Sequence, residues 1–175
     1  MKGPRAKGFS LWLMPEGAPR ERLAGWIDRL ADRYGGERFP PHVTLLAGAG
    51  GPSDDVFARA ATLAARLARF VVRLDAVDGG EEHFRCLFAR VTPSRPLLAA
   101  HEAAARAFAR AREPGYLPHV SLLYGSLSPK QKQILAREIG SEVALRFQAR
   151  RLHVWSTEGP VAEWRELDVL DLGRR

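Results

Sequence analysis

Two short segments of this chain are near copies of each other. Pro41-His42-Val43-Thr44-Leu45-Leu46 returns as Pro118-His119-Val120-Ser121-Leu122-Leu123. Each is a proline followed by an alternating run rich in branched residues, the pattern of a strand with one buried face. Successive side chains of a strand point to opposite faces, so His42 and Thr44 project together, and His119 and Ser121 do likewise. Val43, Leu45, Val120 and Leu122 then point the other way, into a core. Proline is tolerated at the first residue of a strand but not in a central ladder, which puts each histidine near a strand's beginning. A repeat of this kind calls for two similar half-units that face each other.

The surrounding sequence supplies those half-units. Phe9–Met14 reads as a short strand on which Ser10, Trp12 and Met14 share a face. It is followed by an amphipathic helix over Arg20–Tyr34 (Leu23, Ile27, Leu30 and Tyr34) that is closed by Gly35-Gly36. After the first histidine strand, Ser53 is the expected N-cap of a helix running to Leu67, with Val56, Ala60, Leu63 and Leu67 as its buried stripe. Phe70–Val77 and His83–Val91 form a hairpin about Asp78-Gly79-Gly80. The second half repeats the order. A helix is predicted over Pro96–Arg112 with Leu97, His101, Ala104 and Phe108 on one side, then the second histidine strand to Tyr124. Ser128-Pro129-Lys130-Gln131 is a capping box opening a helix that Gly140 stops. Val143–Trp155 reads as one long strand and Val161–Leu170 as a strand returning on it. The expectation is one α+β domain over 1–175, bilobal, with pseudo-repeat halves of roughly 9–91 and 96–172, each with an antiparallel sheet and helices about a central cleft.

Composition narrows the class. At 46% hydrophobic over 175 residues the chain can bury a core, and no run of 18 apolar residues marks a membrane span. A soluble, cytoplasmic monomer is expected. The single cysteine, Cys86, excludes an intrachain disulfide and cannot make a zinc site by itself; it reads as a buried small hydrophobe. A net charge of +7 favours anionic partners, nucleotides or RNA. Only four of the 27 basic residues are lysine, and arginines scattered along alanine-rich helices fit a compositional bias equally well.

Two such strands related by an approximate two-fold axis bring His42 and His119 to opposite sides of a cleft with Thr44 and Ser121 between them. In-line displacement at phosphorus needs that layout. One imidazole takes a proton from water while the other gives one to the leaving oxygen, and an unperturbed pKa near 6.5 suits either role. The hydroxyls can stabilise charge on the equatorial oxygens, so neither a nucleophilic side chain, a metal nor a cofactor is required. A 2′,3′-type cyclic phosphodiester, with a strained ring and an accessible phosphate, suits such a site.

The paired H-V-T-L and H-V-S-L motifs resemble the 2H phosphoesterase superfamily, named for two H-x-[TS]-x motifs. Phe9-Ser10-Leu11-Trp12-Leu13-Met14-Pro15, Phe39-Pro40-Pro41-His42-Val43-Thr44-Leu45, Leu117-Pro118-His119-Val120-Ser121-Leu122-Leu123-Tyr124 and Trp164-Arg165-Glu166 look like the cyclic phosphodiesterase branch of plants and yeast. That resemblance implies a bilobal fold and metal-free hydrolysis of nucleoside 2′,3′-cyclic phosphates and ADP-ribose 1″,2″-cyclic phosphate. It implies His42 and His119 as the acid/base pair and Thr44 and Ser121 as phosphate ligands. Trp12 and Tyr124 match aromatics that flank a base. Redox control through the extra cysteines of plant members does not transfer. His83, His101 and His153 have no counterpart in the repeat and read as structural; Trp155 and Trp164 read as core or hairpin partners. The rival within the superfamily is an RNA 2′,3′-cyclic phosphodiesterase acting on RNA ends. A non-catalytic RNA-binding module is the alternative of another class, and it would have no use for a titrating pair.

Overall fold

The computed structural model describes residues 8–111 and 115–173. The lead before Gly8 and residue Arg112 lie outside the described residues, but the helix expected to reach Arg112 already ends at Ala107. Along the chain run β1 (Phe9–Leu13), α1 (Ala18–Tyr34), β2 (Val43–Ala49), α2 (Ser53–Arg66), β3 (Phe70–Gly79), β4 (Leu87–Val91), α3 (Arg95–Ala107), β5 (His119–Leu123), α4 (Pro129–Ile139), β6 (Arg146–Ala149), β7 (Arg151–Ser156) and β8 (Arg165–Asp171). The strands hydrogen-bond in the order β6-β3-β4-β5-β2-β1-β7-β8, every pairing antiparallel. The two expected sheets are thus halves of one curled sheet, joined where the histidine strands β5 and β2 meet through the single pair Val43 and Val120. Each half of the sequence supplies strands to both sides of that junction, β1 and β2 to one and β3 and β4 to the other.

The valines and leucines of the repeat enter the core as their alternation requires. Val43, Leu45, Val120 and Leu122 are fully buried and pack in one cluster with Leu23 and Leu30 of α1, Leu97, Ala100 and Ala104 of α3, and Leu135 of α4. α1 ends on Gly35, whose φ of 68° is the left-handed conformation a helix stop favours, and its N–H bonds the Ala31 carbonyl at 2.8 Å. Gly36 then passes so close to β5 that a Cβ there would lie 2.6 Å from Leu123 Cδ1. The glycine pair is what lets the end of α1 seat against the end of the second histidine strand.

Several boundaries differ from expectation for local reasons. Pro52, not Ser53, precedes the first turn of α2. Ser53 is already helical and makes no capping bond, and Asp54 and Asp55 supply the favourable charge at that end. The capping box at Ser128 and Gln131 forms as predicted, and Gly140 closes α4. His83–Arg85 is a 3-10 turn before β4 begins at Leu87, and Val161–Glu163 is another before β8. The long strand expected over Val143–Trp155 is broken at Arg150. The buried residues are Phe147 and Ala149 before the break but Leu152 and Val154 after it, so the inward parity flips. β6 pairs with β3 at one edge of the sheet while β7 lies between β1 and β8 at the other. Among the described residues no helix is long and apolar enough to cross a membrane.

Candidate functional site

Antiparallel pairing at the β2–β5 junction sets the centre of the site. With Val43 opposite Val120, continuing the register by one residue each way brings His42 across from Ser121 and Thr44 across from His119. The quartet has the approximate two-fold relation that two antiparallel copies of one motif must have. All four residues line one cleft of about 320 Å³.

The prolines have a further role in setting the rings. His42 Nδ1 lies 2.7 Å from the Pro40 carbonyl and His119 Nδ1 lies 2.8 Å from the Leu117 carbonyl, the same two-residue reach in both motifs. The residue before a proline is restricted to extended backbone, which presents its carbonyl to the histidine beyond the proline. A carbonyl only accepts, so each Nδ1 carries the proton and each neutral ring keeps its lone pair on Nε2. The rings differ in their surroundings. His42 is 5% exposed and stacks on Trp12, with centroids 3.5 Å apart and planes 8° from parallel. His119 is less buried and meets the edge of Phe88 at 5.2 Å. Burial drives the His42 pKa down to about 3, against the lift from the Pro40 carbonyl, and His119 nearby lowers it further. His119 is also lowered, first by burial and then by Arg85, while the Leu117 carbonyl and Glu82 pull it back up.

The remaining wall is aromatic, with one charged pair. Trp12 lies between His42 and Trp155, the latter stacked at 4.5 Å, and is 1% exposed. Both of its faces are therefore occupied, and the base-stacking contact expected of it is limited to its edge. Trp12 backs the imidazole instead. Tyr124 does reach the cleft, although simple alternation places it on the opposite face from His119. A register shift between Leu87 and Phe88 inserts an extra residue at the end of β5, and that bulge reverses the parity. One face of Tyr124 stacks on Phe39 at 3.7 Å, and burial raises its phenol well above the usual value. Ser121 Oγ donates to the Phe84 carbonyl at 2.7 Å, tying the histidine strand to the 3-10 turn.

Sequence reasoning gave no site role to several lining residues, four of which belong to the aromatic and charged wall. Phe84, Arg85 and Glu82 come from the turn before β4, where no repeat or periodicity marks them, and Trp164, expected as a hairpin partner, lines the cleft beside Phe84 at 5.8 Å. Glu82 grips Arg85 with two oxygens, at 2.9 Å to Nε and 2.6 Å to Nη2. The one available signal was the aromatic and charged content of the His83-Phe84-Arg85 loop in a hairpin too long for a tight turn. His101 and His153 are held outside the catalytic quartet, each through Nδ1, His101 to the Leu45 carbonyl at 2.8 Å and His153 to Glu166 at 2.6 Å. Cys86 is buried as expected. Among the described residues no group of three His, Cys, Asp or Glu side chains is placed to hold a metal ion.

A family model described as the 2′-5′ RNA ligase superfamily matches residues 19–160. The chain belongs to the 2′-5′ RNA ligase superfamily. The family expected from the two histidine motifs is borne out. A curated relative, the cyclic phosphodiesterase of Arabidopsis thaliana, is 27% identical over 154 residues, covering 86% of this chain and 85% of the relative. The solved structure of E. coli LigT in apo form superposes with a TM-score of 0.67 at 14% identity, over 97% of this chain and 99% of that chain. Its complex with 3′-AMP gives 0.65 at 14%, over 96% and 99%. A Thermus thermophilus structure gives 0.65 at 19%, over 94% and 97%. At such identities the likeness speaks for the superfamily's α+β fold. Superfamily membership and the Arabidopsis relative together support a phosphoesterase.

Proposed function

We propose that this protein hydrolyses small cyclic phosphodiesters, nucleoside 2′,3′-cyclic phosphates and ADP-ribose 1″,2″-cyclic phosphate, by general acid/base catalysis between His42 and His119 without a metal. The observation that carries the reading is the pair of imidazoles tied identically through Nδ1 and lining one cleft on either side of a two-fold junction. Water attacks phosphorus as the ring P–O bond on the opposite side breaks. One Nε2 takes the proton lost by the water, and the other Nε2 gives its proton to the leaving oxygen. The unequal burial of the rings supports a division of roles in which a single proton held in the cleft resides on His119. His119 is then the acid and His42 the base. Thr44 and Ser121 donate to the equatorial phosphoryl oxygens, Ser121 by turning its hydroxyl away from the Phe84 carbonyl. The base of a nucleotide lies against Phe84 and Trp164, with Tyr124 forming the end of that wall.

The ligand in the E. coli LigT complex, 3′-AMP, is a small nucleotide and supports a nucleotide-sized cleft here. The name of the family model keeps RNA ends as the second reading. The deciding experiment offers 2′,3′-cyclic AMP, ADP-ribose cyclic phosphate and an RNA oligomer with a cyclic end to one preparation, with and without EDTA. The small substrates are expected to show the higher kcat/KM and EDTA to leave it unchanged. Loss of activity in EDTA with recovery on adding zinc would overturn the mechanism. The kcat/KM profile should be bell-shaped with its basic limb below pH 6.5, because burial lowers the His119 pKa. The kcat limb should lie higher, since a bound phosphodiester anion favours the imidazolium.

Phe84→Ala removes the open face of the aromatic wall. Stacking a base on an aromatic ring is worth about 1–3 kcal/mol, so KM for 2′,3′-cyclic AMP should rise roughly tenfold with kcat changed little. An unchanged KM would remove Phe84 from the base site.

A further inference from the structure

A second chamber of about 490 Å³ opens beyond His119 and shares Thr44, Ala47, Arg85 and His119 with the catalytic cleft. Its described wall carries Arg85, Arg110 and His101 and no carboxylate. Arg110 is held at the rim by donating Nη1 to the Gly48 carbonyl at 2.8 Å. Arg85, on the wall common to both cavities, is partly offset by Glu82, which lines only the catalytic cleft. The floor is rigid. The His101 ring stacks on Tyr116 with centroids 3.7 Å apart and planes 3° from parallel. His101 Nδ1 bonds the Leu45 carbonyl, and the Tyr116 hydroxyl donates to the Thr44 carbonyl at 2.9 Å. His101 is 4% exposed, and its Nε2 has no hydrogen-bond partner among the described residues. A positive, preformed chamber that adjoins the reacting centre favours an anionic group covalently attached to the substrate.

We propose that this chamber is a second anion subsite, which receives a phosphoryl group on the 5′ oxygen of the ribose whose cyclic phosphate lies between His42 and His119. The inference rests on the cyclic phosphodiesterase reading and specifies its substrate class. A nucleoside 2′,3′-cyclic phosphate has three directions to satisfy. Its cyclic phosphate goes to the histidines, its base to Phe84 and Trp164, and its 5′ oxygen towards the cavity that begins at the shared wall of Thr44, Arg85 and His119. Arg110 supplies the charge there, and among the described residues no acidic side chain pairs with it. The 5′-phosphoryl group can be a terminal monophosphate or the diester link to an upstream nucleotide, since both present anionic non-bridging oxygens, the monophosphate with the greater charge.

The test compares kcat/KM for adenosine 2′,3′-cyclic phosphate, its 5′-phosphorylated form and a dinucleotide with a 2′,3′-cyclic end, using wild type, Arg110→Ala and Arg110→Lys. Charge-assisted hydrogen bonds to phosphate predict that the 5′-phosphate raises kcat/KM about tenfold or more in wild type. That ratio should collapse towards one in Arg110→Ala and be partly kept in Arg110→Lys. A further gain with the dinucleotide assigns the subsite to polynucleotide ends, and a loss assigns it to mononucleotides. A ratio within twofold of one in wild type, or an unchanged ratio in Arg110→Ala, overturns the subsite. Equilibrium binding of adenosine 2′-monophosphate against adenosine 2′,5′-bisphosphate decides the same question without turnover. If no cyclic phosphate is hydrolysed but the bisphosphate is preferred through Arg110, the catalytic reading fails and the subsite stands. If turnover is robust and neither ratio responds to Arg110, the reverse holds.

Discussion

His42→Ala and His119→Ala are each expected to lower kcat/KM on 2′,3′-cyclic AMP by about 10²–10⁴-fold, the usual worth of one positioned proton-transfer group. The two losses should differ in kind. A general acid matters because an alkoxide is a poor leaving group. On a phosphodiester whose leaving group is p-nitrophenol, which departs as a stable phenolate, His119→Ala should recover most of its loss. His42→Ala should not, because water still has to be deprotonated whatever leaves. The opposite pattern would exchange the two roles, and recovery in both or neither would remove the division of labour between the imidazoles. The prediction follows from surroundings and not from the motifs, which are alike. His42 is sealed under Trp12, whereas His119 lies beside the Glu82 carboxylate and closer to solvent.

The repeat was legible because its information is local. Alternation alone puts His42 and Thr44 on one face and Val43 and Leu45 on the other, and duplication alone demands a symmetric pairing of the two copies. The Val43–Val120 junction meets both requirements. What alternation cannot see is a change of parity. The bulge at the end of β5 that turns Tyr124 into the cleft, and the break at Arg150 that sends β6 and β7 to opposite edges, are decided by which strands lie alongside. No single segment encodes that. The same limit hid Phe84 and Arg85, which come from a 3-10 turn with no periodicity of its own. It also hid the true position of Trp12: a cleft-facing aromatic on an edge of the motif looks like a base platform until Trp155, from the far end of the chain, covers its second face.

Sealing His42 makes the candidate site a load on the fold in acid. In the unfolded chain its imidazole titrates near 6.5, while burial holds it down to about 3 in the folded one. The fold therefore prefers the neutral ring, and the stability tied to that preference is complete above pH 6.5 and is lost as pH falls from 6.5 towards 3. Within that window the slope reaches about 1.4 kcal/mol per pH unit, and the whole interval amounts to roughly 5 kcal/mol, comparable with the total stability of many domains. His119, lowered in the same direction, adds to the effect. The carboxylates of Glu16, Asp75 and Glu82, held below their usual range by arginine partners, also release stability as they protonate. A variant isolates the imidazole from them. His42→Gln keeps a hydrogen-bonding side chain of similar size that does not titrate, so its unfolding free energy should fall less steeply than that of wild type between pH 7 and 4. The curves are expected to converge by a few kcal/mol in denaturant titrations at fixed salt. Parallel curves would mean that the folded protein does not disfavour the charged ring, and with that the assignment of His42 as the neutral partner would lose its physical basis.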